Sequence, residues 1–482
     1  MDKLLREKDI QEYLNVSRST LWRFKQKGLP TIKIGKTNRY KLEDVKKWVA
    51  EETLPFYAIA EKKVKPKAEQ IINTYQIDFE YLLRHNEKYL KKILNKNEID
   101  FLYETLKGTN TNNFTNQDYV ITFSKVYLSI LKIRYQKETK HKKYNPQLNK
   151  FMNQNIGDIK MIWGNSLNIL KQMKSESIQL MVTSPPYYNA RAYSQWENLN
   201  LYLEDMRKII RESYRVLDNN RVWVWNVGDI FDNDRLYTKS VWGKRRIPLG
   251  AYFIKIFEEE GFEFVDDIIW DKGSVESKRH MNNGNNIPFY QYPFNSYEHI
   301  LIFHKHRLDK TRIPCPVCGS LKVNGNTQSE IGVQSWECKN EKCFVRSPNN
   351  RGKRFSLRTN MMQYYHENDI RNEIDKYTIK KWQKDIVKIN PVIKINSKGK
   401  NILGHSAPFP TDIPEMAIKY FTYIDENVLD PFAGSFTTPL VARKLGRNGI
   451  GIELNRELYR NAIIERVITE LNGSHYNEID LL

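Results

Sequence analysis

The stretch that most constrains this chain is residues 180–189, where an apolar run ends in Thr-Ser-Pro-Pro-Tyr. The mostly apolar residues 178–182 predict a short buried strand. Two consecutive prolines can neither extend a β-ladder nor lie inside a helix, so the chain must leave this strand rigid and extended. A hydroxyl, a fixed carbonyl and an aromatic ring are therefore expected at the carboxyl end of a strand, where open α/β sheets bind ligands. Taken alone, the pattern also fits a proline-rich turn with a packed tyrosine.

A second segment, residues 427–438, reads Asn-Val-Leu-Asp-Pro-Phe-Ala-Gly-Ser-Phe-Thr-Thr, and residues 449–454 follow as Gly-Ile-Gly-Ile-Glu-Leu. This pattern predicts a strand, a tight turn of small residues, a helix and a second strand that ends in an acid. Gly434 lets the backbone approach a ligand closely, and the carboxylate of Glu453 is suited to bind ribose hydroxyls.

Together the two segments resemble the catalytic and cofactor motifs of the amino-group DNA methyltransferases, which methylate cytosine N4 or adenine N6 with S-adenosylmethionine. The order, catalytic before cofactor-binding, is similar to that of the β class. The resemblance implies an α/β fold, with a Rossmann-like methyltransferase sheet that carries an antiparallel strand at its edge. It implies that the catalytic residues are Ser184, Pro185, Pro186 and Tyr187. The implied cofactor-binding residues are Asn165, His405, Pro408, Phe409, Asp430, Pro431, Phe432, Gly434, Ser435 and Glu453.

Two residues depart from the family pattern. Phe436 stands where the cofactor motif usually has glycine, and Asn165 stands where the family generally has an aspartate. The amide oxygen of Asn165 can still accept a hydrogen bond from the cofactor adenine, but it lacks the negative charge. These departures keep open a protein of another class, a DNA-binding regulator with an inactive methyltransferase body.

Length and charge are consistent with a DNA-binding enzyme. The chain has 482 residues, enough for several domains, and a formal net charge of +20 that favours a polyanionic partner such as double-stranded DNA. It contains no run of eighteen apolar residues and opens with no signal-peptide pattern. We therefore expect a soluble protein of the prokaryotic cytoplasm.

All four cysteines of the chain lie between positions 315 and 343. Cys315, Cys318, Cys338 and Cys343 have the spacing C-x2-C-x19-C-x4-C, which suits the tetrahedral four-thiolate coordination of a structural zinc ion. The second loop is wider than the usual two-residue spacing, and unliganded thiols are the alternative.

Residues 1–50 predict a compact unit of helices and a hairpin. Residues 9–14 and 17–27 predict two helices, residues 31–40 a β-hairpin, and residues 42–49 a closing helix. Leu21 and Phe24 should face inward. The unit resembles the winged helix-turn-helix of excisionase and MerR-like proteins, and the alternative is a small helical cap with a solvated basic face. The residues expected to contact DNA are Arg18, Arg23, Lys25, Lys36 and Arg39.

The remaining sequence divides into four parts. Residues 51–150 predict a mainly helical basic linker, in which the basic run 134–143 is either a solvated helix end or a phosphate-contacting arm. Residues 151–306 form the catalytic half, with a predicted edge hairpin made by residues 262–270 and 297–303. Residues 307–400 are expected to form a zinc-binding and basic insertion, which by its position resembles a target recognition domain. Residues 401–482 form the cofactor-binding half.

The predicted chemistry requires an extrahelical base. An exocyclic amine is inaccessible inside a duplex, so the target base must be flipped into the pocket. Serine at the first position of the catalytic motif favours cytosine N4 by family resemblance, and adenine N6 remains the alternative. The expected role is the modification half of a restriction-modification system with a cognate endonuclease, whereas an RNA substrate is less consistent with the amino-terminal unit.

Overall fold

The computed structural model describes most of the chain, and a few segments fall outside the description. The described residues are 4–14, 21–22, 24–25, 29–35, 37–52, 76–138, 144–154, 157–189, 195–231, 246–273, 296–307, 312–329, 333–343, 354–356, 370–392 and 410–481. Two compact units are distinguished, Met1–Asp78 and Phe79–Leu482. Among the described residues, no helix combines the length and the apolar composition that crossing a bilayer requires.

The first unit contains a small sheet and two described helices. Its elements are β1 (Leu5–Arg6), α1 (Glu7–Leu14), β2 (Ile32–Ile34), β3 (Thr37–Tyr40) and α2 (Leu42–Glu52). The strands pair antiparallel in the order β1-β3-β2, which includes the predicted hairpin. Leu21 is buried, and the Phe24 ring packs 5.3 Å from that of Trp48, as predicted. Most of the predicted second helix lies outside the described residues.

Three helices open the second unit: α3 (Phe79–Ile93), α4 (Lys96–Lys107) and α5 (Asn116–Glu138). Helix α4 begins with a capping box, in which the side chains of Asn95 and Glu98 each accept from the other residue's backbone N–H. The predicted helical content is therefore present. These helices are more than a linker, because buried Asn86 donates to the Gly319 carbonyl at 2.9 Å and accepts from the Leu321 N–H at 2.7 Å. The helices thus pack against the cysteine-containing segment.

The sheet and its connecting helices make up the rest of the second unit. The elements up to residue 305 are α6 (Pro146–Asn153), β4 (Ile159–Trp163), α7 (Ser166–Gln172), β5 (Ile178–Thr183), α8 (Leu199–Val216), β6 (Leu217–Val227), β7 (Ile230–Phe231), β8 (Arg246–Ile247), α9 (Leu249–Glu259), β9 (Phe262–Asp271) and β10 (Tyr297–Lys305). Those that follow are β11 (Val323–Gln328), β12 (Gln334–Cys338), β13 (Arg354–Ser356), α10 (Lys376–Trp382), β14 (Ile386–Lys388), α11 (Asp412–Phe421), β15 (Asn427–Asp430), α12 (Thr437–Lys444), β16 (Asn448–Glu453), α13 (Arg456–Leu471) and β17 (Tyr476–Asp480).

The central sheet has the strand order β14-β9-β10-β6-β5-β15-β16-β4-β17. Among its described strands, β10 alone runs antiparallel to its neighbours. Helices α7, α8 and α9 cover one face, and α11, α12 and α13 cover the other. Burial on both faces explains why the central strands β4 and β5 are mostly apolar and do not alternate. The fold is the doubly wound α/β sheet that the sequence predicted.

The predicted antiparallel hairpin is formed by β9 and β10, and the insertion adds a further strand outside it. Strand β14 pairs in parallel with β9, and the Trp270 indole donates to the Ile389 carbonyl at 2.8 Å. The outermost position on this side is therefore occupied by residues of the insertion, which the sequence analysis placed in a separate domain.

Candidate active site

The catalytic and cofactor motifs meet at the carboxyl ends of two central, neighbouring strands of the sheet. Strands β5 and β15 are parallel neighbours, with Val428 opposite Leu180 and Leu429 opposite Met181. At their carboxyl ends the Thr183 hydroxyl donates to Asp430 Oδ1 at 2.6 Å, although the two residues are 247 positions apart. Thr183, the first residue of the Thr-Ser-Pro-Pro-Tyr stretch but not one of the predicted site residues, therefore connects the two motifs directly.

Tyr187 is held by side chains from the β9–β10 hairpin. Its hydroxyl donates to Glu298 Oε2 at 2.8 Å, and the Lys272 ammonium pairs with Glu298 Oε1. The Ser184 hydroxyl lies 3.3 Å from the Tyr187 hydroxyl. Burial, followed by the nearby Glu298 carboxylate, holds the pKa of Tyr187 well above its usual range, so the phenol keeps its proton near neutral pH. Neither Glu298 nor Lys272 was predicted.

A glycine at the end of β6 makes room for this contact. A Cβ placed on Gly228 would lie 2.9 Å from Glu298 Cγ, closer than real carbon contacts allow. The missing side chain therefore lets Glu298 lie against the backbone after β6 and reach Tyr187. Pro185 is buried in the same turn, and Pro186 is partly buried.

Asp430 is a fully buried carboxylate at the end of β15. Besides Thr183, the Phe432 N–H donates to Oδ1 at 3.0 Å, and the Thr438 hydroxyl also stabilises the ionised carboxylate, whereas Oδ2 makes no close hydrogen bond among the described residues. Burial raises the pKa of Asp430 to about 7, and the hydrogen bond from Thr183 opposes this shift. A buried carboxylate with a free oxygen is well suited to a cationic ligand.

Glu453 is held at the end of β16 by backbone donors. The Gly434 N–H donates to its Oε2 at 3.0 Å, and the Asn455 N–H donates to its Oε1 at 2.9 Å. Burial raises the pKa of this carboxyl. Gly434 has φ +49°, a left-handed conformation that favours glycine, and it brings the turn after β15 against the end of β16.

Asn165 lies just after strand β4 and caps the following helix. Its side-chain oxygen accepts from the Asn168 N–H at 3.2 Å, as an N-cap residue does. The next residue, Ser166, donates from its hydroxyl to the Pro431 carbonyl at 2.5 Å and so joins this turn to the cofactor motif. A contact between Asn165 and the cofactor adenine stays a prediction.

The departure at position 436 is accommodated inside the core. Phe436 is fully buried with φ +61°, and its ring centroid lies 6.1 Å from that of Trp163. A Cβ on Gly451 would lie 2.5 Å from the Phe436 ring, so the phenylalanine fills the space above this glycine. The side chain therefore packs under the cofactor motif with the core residues of α13 and β4.

The other predicted cofactor residues divide into two groups. Pro431, Phe432 and Ser435 lie in the turn between Asp430 and α12, where the Ser435 hydroxyl is 3.2 Å from that of Thr437. His405, Pro408 and Phe409 lie outside the described residues.

The four cysteines come together in one buried cluster. Their Sγ atoms all lie within 4.8 Å of one another, with 3.9 Å between Cys315 and Cys343 and 3.8 Å between Cys318 and Cys338. A tetrahedral zinc ion with Zn–S bonds of about 2.3 Å separates its sulfur atoms by about 3.8 Å. The cluster therefore fits a closed four-thiolate metal site.

Two of the predicted DNA-binding residues are described. Lys25 Nζ lies 2.8 Å from Glu7 Oε2, and Arg39 lies on β3 with its guanidinium donating to the Asn38 carbonyl at 3.2 Å. Lys25 is therefore engaged within its own unit. Arg18, Arg23 and Lys36 lie outside the described residues.

The site residues fit the cofactor that the sequence implies. S-adenosylmethionine carries a sulfonium, an ammonium and a ribose diol, and the strand ends offer a free buried carboxylate oxygen on Asp430 and a second carboxylate on Glu453. Ser184 and Tyr187 stand at the adjoining strand end, where a methyl acceptor would approach. A doubly wound sheet with these two strand ends has the architecture of the S-adenosylmethionine-dependent methyltransferases.

Comparison with known families agrees with this class. Residues 178–465 match the family model described as DNA methylase, and residues 4–53 match that of a helix-turn-helix domain. Because the first match spans more than half of the chain, the protein belongs to the DNA methylase family.

Individual relatives show how far the similarity extends. The Type II beta methyltransferase M.BslI from Bacillus sp. (strain NEB-606) is 38% identical over 363 residues, 74% of this chain and 32% of that protein. The Type II methyltransferase M1.MboII from Moraxella bovis is 27% identical over 303 residues, 62% of this chain and 92% of that protein. The solved complex of TTHA0409 from Thermus thermophilus with S-adenosyl-L-methionine is 21% identical, covers 67% of this chain and 99% of that chain, and has a TM-score of 0.42. The chain thus spans about a third of the length of M.BslI.

Proposed function

We propose that this protein transfers a methyl group from S-adenosylmethionine to the exocyclic amine of a flipped base in DNA, with cytosine N4 as the preferred target. The observation that carries the proposal is the contact between Thr183 and Asp430, which joins the Ser-Pro-Pro-Tyr segment to the cofactor turn. Family membership and the similarity to Type II methyltransferases support it.

Positioning accounts for most of the catalysis. When bound, the cofactor supplies an electrophilic methyl group on a sulfonium. An exocyclic amine is a weak nucleophile because its lone pair is delocalised into the ring. The Ser184 hydroxyl and the Pro185 carbonyl would accept its two hydrogens and favour a pyramidal nitrogen, and the Tyr187 ring would stack on the base.

The cofactor side would hold the donor by charge and hydrogen bonding. Asp430 offers a carboxylate to the positive charge of the cofactor, and Glu453 offers acceptors to the ribose hydroxyls. Asn165 would accept from the adenine amino group. His405, Pro408 and Phe409 are proposed, from the motif alone, to pack on the methionine end.

Serine at the first motif position supports cytosine N4 over adenine N6. Both bases carry an exocyclic amine with two hydrogens, so Ser184 can act as an acceptor toward either one. Adenine N6 is therefore the second candidate, and identification of the modified base discriminates between them.

The helix-turn-helix unit would bind the DNA duplex, either at the substrate site or at an operator that controls expression. Its predicted contacts are made by Arg18, Arg23, Lys36 and Arg39; Lys25 already pairs with Glu7 and would have to exchange that partner. The similarity to Type II methyltransferases supports a role in a restriction-modification system, and a cognate endonuclease is part of this proposal.

The cysteine cluster would hold one structural zinc ion, because four thiolates leave no open coordination position. Replacement of Cys318 by serine should release zinc and loosen the contact of residues 312–343 with α3. Metal content measured by mass spectrometry checks this, with Asn326→Ser on exposed β11 as the control. Zinc retained at one equivalent after Cys318→Ser would contradict the four-cysteine site.

The enzymatic proposal is tested with purified protein, unmodified DNA and S-adenosylmethionine. Digestion of the product to nucleosides followed by mass spectrometry should reveal N4-methylcytosine. N6-methyladenine would favour the second candidate. DNA binding without methylation, together with the absence of cofactor binding in calorimetry, would favour a DNA-binding regulator with an inactive methyltransferase body.

A further inference from the structure

The Tyr187 hydroxyl is held by a residue from outside the catalytic motif. Glu298 lies on β10, 111 positions further along the chain, and accepts a hydrogen bond from the Tyr187 hydroxyl at 2.8 Å. Glu298 and its partner Lys272 face each other across the β9–β10 hairpin and are both largely buried, with side chains 13% and 21% exposed. Burial of this ion pair beside a catalytic motif calls for an explanation beyond surface charge pairing.

The chemistry of the four groups gives the chain of hydrogen bonds a direction. The Lys272 ammonium can only donate, and the carboxylate that pairs with it can only accept. Tyr187 has a single hydroxyl hydrogen, which it donates to Glu298. Toward Ser184, 3.3 Å away, the Tyr187 oxygen therefore acts as the acceptor, as it does toward the backbone N–H of Gly228. With its hydrogen used in this way, Ser184 Oγ keeps its lone pairs as acceptors.

We propose that Glu298 is a positioning residue that orients the Tyr187 and Ser184 hydroxyls, so that Ser184 Oγ presents lone pairs to the amine of the target base. This inference rests on the proposed function, because the acceptor is needed for an amine that carries two hydrogens. Without the carboxylate, the Tyr187 hydroxyl can turn and donate to Ser184. The Ser184 hydrogen would then point toward the hydrogens of the target amine. This repulsion would disfavour the orientation of the base that methyl transfer requires.

Gly228 supports this assignment independently. The 2.9 Å separation between a Cβ at this position and Glu298 Cγ means that any larger residue would displace the carboxylate from Tyr187. The glycine is therefore needed for the approach of Glu298 to Tyr187 on which the positioning role depends.

The test replaces Glu298 with glutamine, which has the same shape but can turn its amide to donate. We expect kcat for methyl transfer to fall about 10- to 100-fold, the effect of one charge-assisted hydrogen bond. The dissociation constants for S-adenosylmethionine and DNA should change less than about threefold, since binding does not use this contact. The control is Glu263→Gln on β9, an exposed residue with the same change of charge, which should keep the wild-type kcat.

A double-mutant cycle separates orientation from a general structural role. Tyr187→Phe removes the hydroxyl that Glu298 orients, so Glu298→Gln in that background should change kcat by less than about twofold. An equal loss of kcat in both backgrounds, or wild-type kcat in Glu298→Gln, would overturn the inference while leaving the proposed function intact. If the wild-type protein itself transfers no methyl group, both the proposed function and this inference fail.

Discussion

The two sides of the cleft hold their functional groups in different ways. On the cofactor side, Glu453 is fixed by backbone N–H groups from Gly434 and Asn455, which lie within the same motif. On the catalytic side, Tyr187 donates to the side chain of Glu298, which in turn pairs with Lys272, and both residues come from a hairpin far along the chain. Glu453 is therefore held by groups close to it in sequence, whereas the position of Tyr187 depends on how the sheet assembles. The difference predicts that mutations on one side affect cofactor binding and those on the other affect turnover.

The largest effect is expected from Tyr187→Ala on the catalytic side. Loss of the ring and its hydroxyl removes base stacking and the contact with Ser184, so kcat should fall at least about 100-fold. The dissociation constant for S-adenosylmethionine should stay within about threefold of the wild type, as measured by calorimetry beside single-turnover kinetics. An equally large loss of cofactor affinity would show that the two sides are not separable.

Asp430→Asn is the corresponding change on the cofactor side. It keeps the shape but removes the charge, so the affinity for S-adenosylmethionine should fall about 10- to 100-fold. At saturating cofactor, kcat should change only a few-fold. Asp425→Asn, at an exposed position just before the same strand, is the control and should bind as the wild type does. A loss confined to kcat would contradict the assignment of Asp430 to cofactor binding.

The raised pKa of Asp430 predicts pH-dependent binding of the cofactor. In the free protein this carboxyl, with a pKa of about 7, is protonated below that pH, and a cationic ligand favours its ionised form. Affinity should therefore rise with pH by up to about tenfold per unit below pH 7 and level off above it. Asp430→Asn should remove this slope in titration calorimetry, and an unchanged slope would assign the effect to another group.

The same shift has a consequence for stability. Because the folded-state pKa of Asp430 lies above its unfolded value of about 4, the native protein binds the extra proton between these two values. The contribution of this group to the free energy of unfolding is therefore largest below pH 4, falls as pH rises from 4 to 7, and stays low above that.

The smallest effect on turnover is expected from Gly451→Ala. The new methyl group would meet the Phe436 ring at 2.5 Å and should lower the free energy of unfolding by about 1–3 kcal/mol. Turnover should stay within about threefold at a temperature where the protein is folded. Urea denaturation checks the change, and an unaltered midpoint would show that Phe436 can move aside.

The features that could be predicted from the sequence are those carried by contiguous motifs, and the features that depend on strand order could not. The strand ends that carry Ser184 and Asp430, the acid Glu453 and the cysteine cluster were found because each motif is contiguous or regularly spaced. Glu298 and Thr183 were missed because their roles depend on strand order, which brings together residues 111 and 247 positions apart. Phe436 was identified as a departure, but its explanation required Gly451, which only the packed structure places against the ring.

The packing of the helices on the cysteine segment was missed for the same reason. Asn86 is one polar residue in an otherwise ordinary amphipathic helix, and its partner Gly319 is 233 positions away. Helical spacing predicts which face of α3 is buried but says nothing about what covers it.

The central claim is that the cofactor-binding groups and the catalytic groups share a single cleft. Photolabelling with methyl-labelled S-adenosylmethionine tests this claim most directly. After irradiation and proteolysis, the label should be found in peptides that contain residues 184–189 or 430–436, and Asp430→Asn should reduce it in both. Label confined to the helices of residues 79–138 or to the cysteine segment 312–343 would contradict the claim.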